Sequence, residues 1–233
     1  ISLVISDVIG DDLSSVSSGL TFADKTTFSQ ALKILKKYKI HNKISKNIIR
    51  VLQNTGNDKF PETPKKPMIR NIVIANNHKC LLAMKNKAKK MNYTTNVVHS
   101  LNSDVKVATK KIIKTLESSK KQCLIFGGET TVNVRGNGKG KGGRSQELVL
   151  RILQELHNSH HNQFIISSIG TDGIDGNTKF AGAIASTRNV SINKKYLKNN
   201  DSFNYFKKFG NLIYIGPTHT NVNDIGLIIR QSL

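Results

Sequence analysis

The sequence predicts an α/β protein with a largely parallel sheet. Two observations carry the prediction. From residue 72 to residue 126, short apolar runs of strand type alternate with amphipathic helical stretches, the pattern of βαβ units. Four predicted strands then run straight into loops rich in Gly, Asp, Asn and Thr. In open α/β sheets, ligands bind beyond the carboxyl ends of the strands, so these loops are expected to gather at one edge as a single site.

The elements follow in order. Ile1 to Ser6 read as a short buried strand, followed by an acidic loop, Asp7-Val-Ile-Gly-Asp-Asp12. From Thr26 to Tyr38 the residues Phe28, Ala31, Leu32, Leu35 and Tyr38 fall at helical spacing, and Ile44, Ile48, Val51 and Leu52 mark a second helix. Gly56 to Pro67 hold three of the four prolines and read as a surface connection. Ile72 to Ala75 form a strand, Leu81, Met84, Ala88 and Met91 a helix, and Thr95 to Val98 a strand. Val105, Ala108, Ile112 and Leu116 mark the next helix, and Cys123 to Phe126 a further strand. Thr130 to Val134 alternate as a half-exposed strand does. A glycine-rich run leads into a helix carrying Leu148, Val149, Ile152, Leu153 and Leu156. Phe164 to Ile169, Leu212 to Ile215 and Ile225 to Ile229 complete the strands.

Composition narrows the function. With 233 residues, 37% hydrophobic and 22% charged, the chain has the profile of a globular protein of one large or two small domains. It has no apolar run of about 20 residues to span a membrane. The start, ISLVISDV, lacks an initiator Met and a basic leader and begins inside a strand. The beginning of the protein is therefore expected to be missing. Cys80 and Cys123 sit in apolar contexts outside any CxxC pair, which fits buried free thiols in a reducing cytoplasm. The net charge of +21 comes mainly from dispersed lysines, with Arg confined to positions 50, 70, 135, 144, 151, 188 and 230 and with no Trp. Base readers favour Arg and stacking aromatics, so no specific nucleic-acid partner is expected. The charge would attract an anionic substrate such as ATP.

Three motif loops carry the chemistry. In Gly127-Gly-Glu-Thr-Thr131, glycine turns and hydroxyls suit a phosphate or carboxylate cradle, and equally a tight turn with Glu129 solvated. From Gly136 to Glu147, Lys139, Lys141 and Arg144 lie among glycines before a helix, where free N–H groups and the helix dipole favour phosphate. Gly138 to Gly143 match G-x-G-x-x-G, but no acidic residue follows ~20 positions on, and no Walker A motif is present. In Gly170-Thr-Asp-Gly-Ile-Asp-Gly176, Asp172 and Asp175 could hold Mg²⁺ or position a hydroxyl, or form Asx-turns. Asp7, Asp11 and Asp12 form a second acidic loop, and Thr218, Asn221, Asn223 and Asp224 add polar groups to the last loop, with the same two readings. His157, His160 and His161 resemble a solvated helix end rather than a metal site.

The strings GGETTVNVRGNGKGKGGRSQE, GTDGIDG and GPTHTNVND, in this order, resemble the MOFRL domain of class II glycerate 2-kinases. Upstream, SDVIGDDLSSVSSGLTFADKTTF resembles that family's SDVPGDDLSVIASGPTxxDPTT segment, and PETPKKP its ETPK. The resemblance implies part of a Rossmann-like domain over residues 1–120 and a MOFRL domain over 121–233. It also implies transfer of the ATP γ-phosphoryl to D-glycerate, giving 2-phosphoglycerate, with Mg²⁺. Arg144, Asp172 and Asp175 are then the expected catalytic residues, the two aspartates also being candidate metal ligands. Gly127, Gly128, Glu129, Thr130, Lys141, Thr218 and Asn221 are expected to bind substrate or phosphate. The sequence departs from the family pattern at Ile9, Leu20 and Lys25, which replace prolines. His219 stands where glycine is usual, and Asn177 and Lys179 replace a proline and an aspartate. The family's N-terminal lysine has no counterpart here. A hydroxypyruvate reductase using NAD and a non-enzymatic polyanion-binding protein are the alternatives, and the sequence leaves a homo-oligomer open.

Overall fold

The computed structural model describes residues 1–54, 59–66, 69–134, 138–157, 162–188, 190 and 192–232. Arg135 and Gly136 of the glycine-rich run, Gly56 and Pro67 of the proline-rich connection, and His160 and His161 lie outside the described residues. The chain divides into two compact units, one of residues 1–4 and 12–72, the other of residues 5–11 and 73–233. The division passes through strands β1 (Ser2–Ile5) and β2 (Asn71–Ala75), which pair with each other.

The first unit contains helices α1 (Phe28–Lys37) and α2 (Lys46–Gln53), packed on each other. Thr27 opens α1 with a capping box: its side chain accepts from the Gln30 amide, and the Gln30 side chain accepts from the Thr27 amide. Such caps satisfy the free N–H groups of the first turn. Asp24 gathers the Thr26 amide at 2.8 Å, the Thr26 hydroxyl at 2.7 Å and the Thr63 hydroxyl at 2.8 Å. These bonds hold its carboxyl down at about pH 2. Val16 alone among this unit's described hydrophobic side chains is fully buried, so polar capping contributes much of its order.

The second unit is built on a six-stranded sheet. Its strands are β3 (Thr95–Leu101), β4 (Cys123–Gly128), β5 (Asn162–Gly170), β6 (Gly182–Ser186), β7 (Asn211–Ile213) and β8 (Asp224–Ser232), in the order β3-β4-β8-β5-β6-β7. Helices α4 (Val105–Ser118) and α5 (Arg144–Leu156) cover one face. The core there includes Val105, Ile112, Phe126, Leu148, Ile152, Ile166 and Ile228. The short helices α6 (Lys194–Lys198) and α7 (Ser202–Phe209) pack beside α5 and contribute Tyr205 and Phe206 to the same core. Helix α3 (Asn77–Lys90) covers the other face through Leu81, Met84 and Ala88, over Cys123 and Ile125.

The α/β class holds, but the strand directions in this sheet differ from the largely parallel arrangement expected. Only β3 and β4, linked by the helical crossover α4, run parallel; β8 enters between β4 and β5 antiparallel to both, and β6 and β7 continue antiparallel. The half-exposed strand expected at Thr130 to Val134 is reduced to a single bridge between Asp104 and Thr131. The Glu129 and Thr131 amides donate to the Leu101 and Ser103 carbonyls, which ties this segment to the chain leaving β3, and Val134 is exposed. β6, α6 and α7 have no counterpart among the elements expected from the sequence.

Candidate active site

The inserted β8 is what assembles the site. Because it runs antiparallel, its first residue lies at the carboxyl ends of its neighbours: Asp224 is paired with Gly128 of β4 and with Gly170 of β5. The GGETT, GTDGIDG and GPTHTNVND loops therefore meet at one edge of the sheet, as the loop composition predicts. The fourth participant is the N-terminus of α5, where Arg144 is the first helical residue.

Arg144 connects these segments. Its Nε donates to Asp224 Oδ2 at 2.7 Å and its Nη2 to Asp224 Oδ1 at 3.2 Å, a two-pronged contact. Its Nη1 donates to Glu129 Oε1 at 2.8 Å. A guanidinium has five N–H donors, so two remain for a ligand. Asp224 is buried, its side chain 10% exposed, while that of Arg144 is 32% exposed. Burial pushes the Asp224 carboxyl up, to about 7, with the guanidinium pulling it down. On Arg144 the desolvation is outweighed by the two carboxylates, which hold its pKa above the usual value.

Asp175 sits behind Arg144. Its Oδ1 accepts from the Ser145 amide at 3.0 Å and its Oδ2 from the Gln146 amide at 2.9 Å. It thus satisfies the first turn of α5, where Gly143 at the cap position has no side chain to do so. Its carboxyl is almost wholly buried, and that burial raises its pKa to about 6 against these hydrogen bonds. The N-terminus of α5, read from sequence as a phosphate cradle, is therefore already occupied by a carboxylate of the protein. The same contact removes the free helix end that a dinucleotide fingerprint needs.

The glycine-rich run is packed rather than loose. A Cβ on Gly140 would stand 2.0 Å from the Asn199 carbonyl oxygen, and one on Gly142 would stand 2.2 Å from the Ser202 hydroxyl. The Gly142 amide donates to Asn177 Oδ1 at 2.9 Å, and the Lys141 amide to Asp201 Oδ1 at 2.9 Å. Gly127 and Gly128 serve close approach as well. Gly128 has φ of +142°, and a Cβ there would lie 2.4 Å from the Leu101 backbone. Glu129 reaches Arg144, and Thr130 is buried with no partner for its hydroxyl among the described residues.

In the last loop, Thr218 donates from its amide to the Asp172 carbonyl at 3.1 Å and from its hydroxyl to the Thr171 carbonyl at 2.6 Å. Asn221 accepts the Asn223 amide at 2.9 Å. Both residues thus shape the loop. His219 adopts φ of 57°, a left-handed conformation that explains why glycine suits this position.

A cavity of about 520 Å³ opens between the glycine-rich run, the N-terminus of α5 and the GTDGIDG loop, walled by Gly140, Gly142, Arg144, Asp172, Ile174, Asp175 and Asn177. Arg144, Asp172 and Asp175 are thereby brought together, whereas Gly127, Gly128, Glu129, Thr130, Lys141, Thr218 and Asn221 do not line it. Asp172 is partly exposed and uses one carboxylate oxygen on the Ile174 amide at 3.0 Å. Among the described residues no group of three His, Cys, Asp or Glu side chains is placed to hold a metal by itself. From the sequence, Asp224 is one polar group of the last loop, with no role of its own assigned. The signal for it was an acid at the start of a strand, closing a loop of the same polar type as the other two.

The MOFRL family matches residues 122–224, and a domain of unknown function, DUF4147, matches residues 1–53. The chain is 38% identical to the D-glycerate 2-kinase of Thermotoga maritima over 98% of its length and 56% of that protein. It is 33% identical to the glycerate 2-kinase of Pyrococcus horikoshii over its whole length and 56% of that protein. The crystal structure of glycerate kinase from Thermotoga maritima superposes with a TM-score of 0.83 at 36% identity, over 97% of this chain and 56% of that one. The chain thus spans little more than half the length of the curated relatives it matches. On these matches, together with the three loops that gather about Arg144, residues 122–224 are similar to the MOFRL family and nearly the whole chain is similar to glycerate 2-kinases.

Proposed function

We propose that the protein is a glycerate 2-kinase, moving the γ-phosphoryl of ATP to the C2 hydroxyl of D-glycerate to give 2-phosphoglycerate and ADP. In this reaction the bond between the γ-phosphorus and the β,γ-bridging oxygen breaks, a bond from phosphorus to the glycerate oxygen forms, and the hydroxyl proton is released. The observation that carries the proposal is the placement of Arg144 at the cavity wall with two donors unspent. Phosphoryl transfer asks a protein for positioning and charge stabilisation more than for covalent chemistry. The similarity to glycerate 2-kinases supplies the substrates.

The residues take distinct roles. Arg144 faces the transferring phosphoryl or the glycerate carboxylate. Asp172 would hold Mg²⁺, which proteins bind through one or two carboxylates together with substrate phosphates. Bound there, the ion would neutralise phosphate charge beside the carboxylate. Asp175, with both oxygens on α5 amides, holds the helix that presents Arg144 and is a positioning residue. Glu129 steadies the guanidinium, and Lys141 adds positive charge beside the cavity. Gly127, Gly128, Thr130, Thr218 and Asn221 shape the loops around it. As family modules we keep the division at residues 120 and 121, next to the start of the MOFRL match. Two free thiols fit a cytoplasmic protein, and no helix among the described residues is long and apolar enough to cross a membrane.

The test is an enolase-coupled assay on the protein encoded by the complete reading frame. Replacing Arg144 with Ala should lower turnover by about 10²- to 10³-fold, the scale of losing a transition-state donor, while circular dichroism stays that of the wild type. Wild-type turnover in this variant would remove Arg144 from the mechanism.

A further inference from the structure

Beside the cavity lies a cluster of aromatic rings flanked by lysines. Phe180 stands 5.8 Å from Phe203 and 5.9 Å from Tyr214, the latter edge-on at 72°. Tyr214 is 62% exposed, and Phe180 and Phe203 are partly exposed. Lys141 Nζ lies 5.2 Å from the Phe203 ring centre, and Lys179 Nζ lies 6.0 Å from that of Phe180 and 5.9 Å from that of Tyr214. An exposed tyrosine is thus grouped with two further rings and two cations.

The cluster is continuous with the cavity wall. The Phe203 amide donates to the Lys141 carbonyl at 2.9 Å. Gly142, the next residue, donates to Asn177 at 2.9 Å, and Asn177 stands two positions before Lys179. Gly142 and Asn177 both line the cavity. Residues that line the cavity thus stand next to Lys141 and within three positions of Phe180 in the chain, which places the rings beside the cavity.

We infer that Tyr214, Phe180 and Phe203 form a stacking shelf for the base of a nucleoside triphosphate whose phosphates enter the cavity, with Lys141 and Lys179 meeting the phosphate charge at its mouth. The inference rests on the kinase reading of that cavity. The charge selects the occupant: two lysines favour an anion, and flat rings favour a planar base over an aliphatic or acidic peptide surface. Stacking tolerates any base because each presents a π-face, so ATP and GTP should bind within a few-fold of each other.

Titration calorimetry with ATP, GTP and inorganic tripolyphosphate, at one magnesium concentration, tests this on the protein encoded by the complete reading frame. ATP should bind about tenfold more tightly than tripolyphosphate, the scale of one stacked base. Tyr214→Ala should erase most of that margin without changing tripolyphosphate affinity, and Tyr214→Phe should restore it. Tyr214 is exposed enough for both variants to fold, and a thermal melt checks this. Equal affinity for ATP and tripolyphosphate in the wild type would overturn the shelf while leaving the phosphate cavity standing. Absence of binding by all three would overturn the cavity reading and the shelf with it. A Tyr214→Ala change that dissociates a dimer in sedimentation and leaves ATP affinity intact would assign the rings to a second copy and overturn the inference.

Discussion

Removing the guanidinium of Arg144 should destabilise the protein in a way that depends on pH. The side chain makes three charged hydrogen bonds, two to Asp224 and one to Glu129. Asp224 is 10% exposed at its side chain and Glu129 is 46% exposed, so the first contact matters more. Breaking a fully buried ion pair by deleting one partner costs about 3–5 kcal/mol, and an exposed pair is worth about 0–1 kcal/mol. With Arg144 partly exposed, Arg144→Ala is expected to cost about 2 kcal/mol at pH 8.5. The sign with pH follows from Asp224, whose folded pKa already stands above its unfolded value, at about 7. A raised carboxyl favours the folded state at low pH and loses that advantage as pH rises toward the folded pKa. Without the guanidinium the carboxyl rises further, so in the variant the lone charge is avoided by protonation below neutrality. The destabilisation should therefore shrink to about 1 kcal/mol or less at pH 5.5, the scale of ordinary hydrogen bonds. Urea melts of wild type and variant at both pH values, followed by circular dichroism, read the difference. The double variant Arg144→Ala, Asp224→Asn should recover part of the loss at pH 8.5. A destabilisation that is equal at the two pH values, or larger at pH 5.5, would refute the reasoning.

Other positions give independent checks. Gly128→Ala must push a Cβ into the Leu101 backbone at a φ of +142°, and should cost about 2–4 kcal/mol in a denaturant melt. Asp175→Asn replaces one of two acceptors at the start of α5 by a donor facing an amide. It should cost about 1–3 kcal/mol, and calorimetry would show it as a lowered melting temperature. Asp24 should titrate near pH 2 by carbon-detected NMR. Its folded pKa is depressed, so its contribution is full above the unfolded value near 4 and is lost as pH falls through about 2.

Much of the fold can be read from hydrophobic spacing. The helices placed by Phe28 to Tyr38, by Leu81 to Met91 and by Val105 to Leu116 are found where their periodicity puts them, although only the last buries its whole apolar stripe and the first buries no side chain fully. Strand direction is not local. Asp224 to Ser232 are apolar enough for a central strand, yet nothing in the run says that it enters between β4 and β5 in reverse. β6 escaped because Gly182, Ala183 and Ala185 are too small to give an alternating signal, although the strand is central enough to pair on both sides. The site was legible as polar loops gathering at one edge, of which three meet around Arg144, and Arg144 was legible as the basic residue opening a helix. Its partner Asp224 became visible only through the register of β8, and the capping role of Asp175 only through the position of the Ser145 and Gln146 amides. The residues that drew attention as glycine-rich phosphate loops, Gly127, Gly128 and Gly140 among them, are glycines because neighbouring chains leave no room for a side chain.

The central claim, phosphoryl transfer from ATP to glycerate at the Arg144 cavity, is tested most directly by ³¹P NMR of the protein encoded by the complete reading frame, incubated with ATP, magnesium and D-glycerate. Loss of the γ-phosphate resonance should be matched by equal growth of ADP and of a phosphomonoester at the 2-phosphoglycerate position. ATP that stays intact, or that falls to ADP and inorganic phosphate with no phosphoglycerate formed, would contradict it.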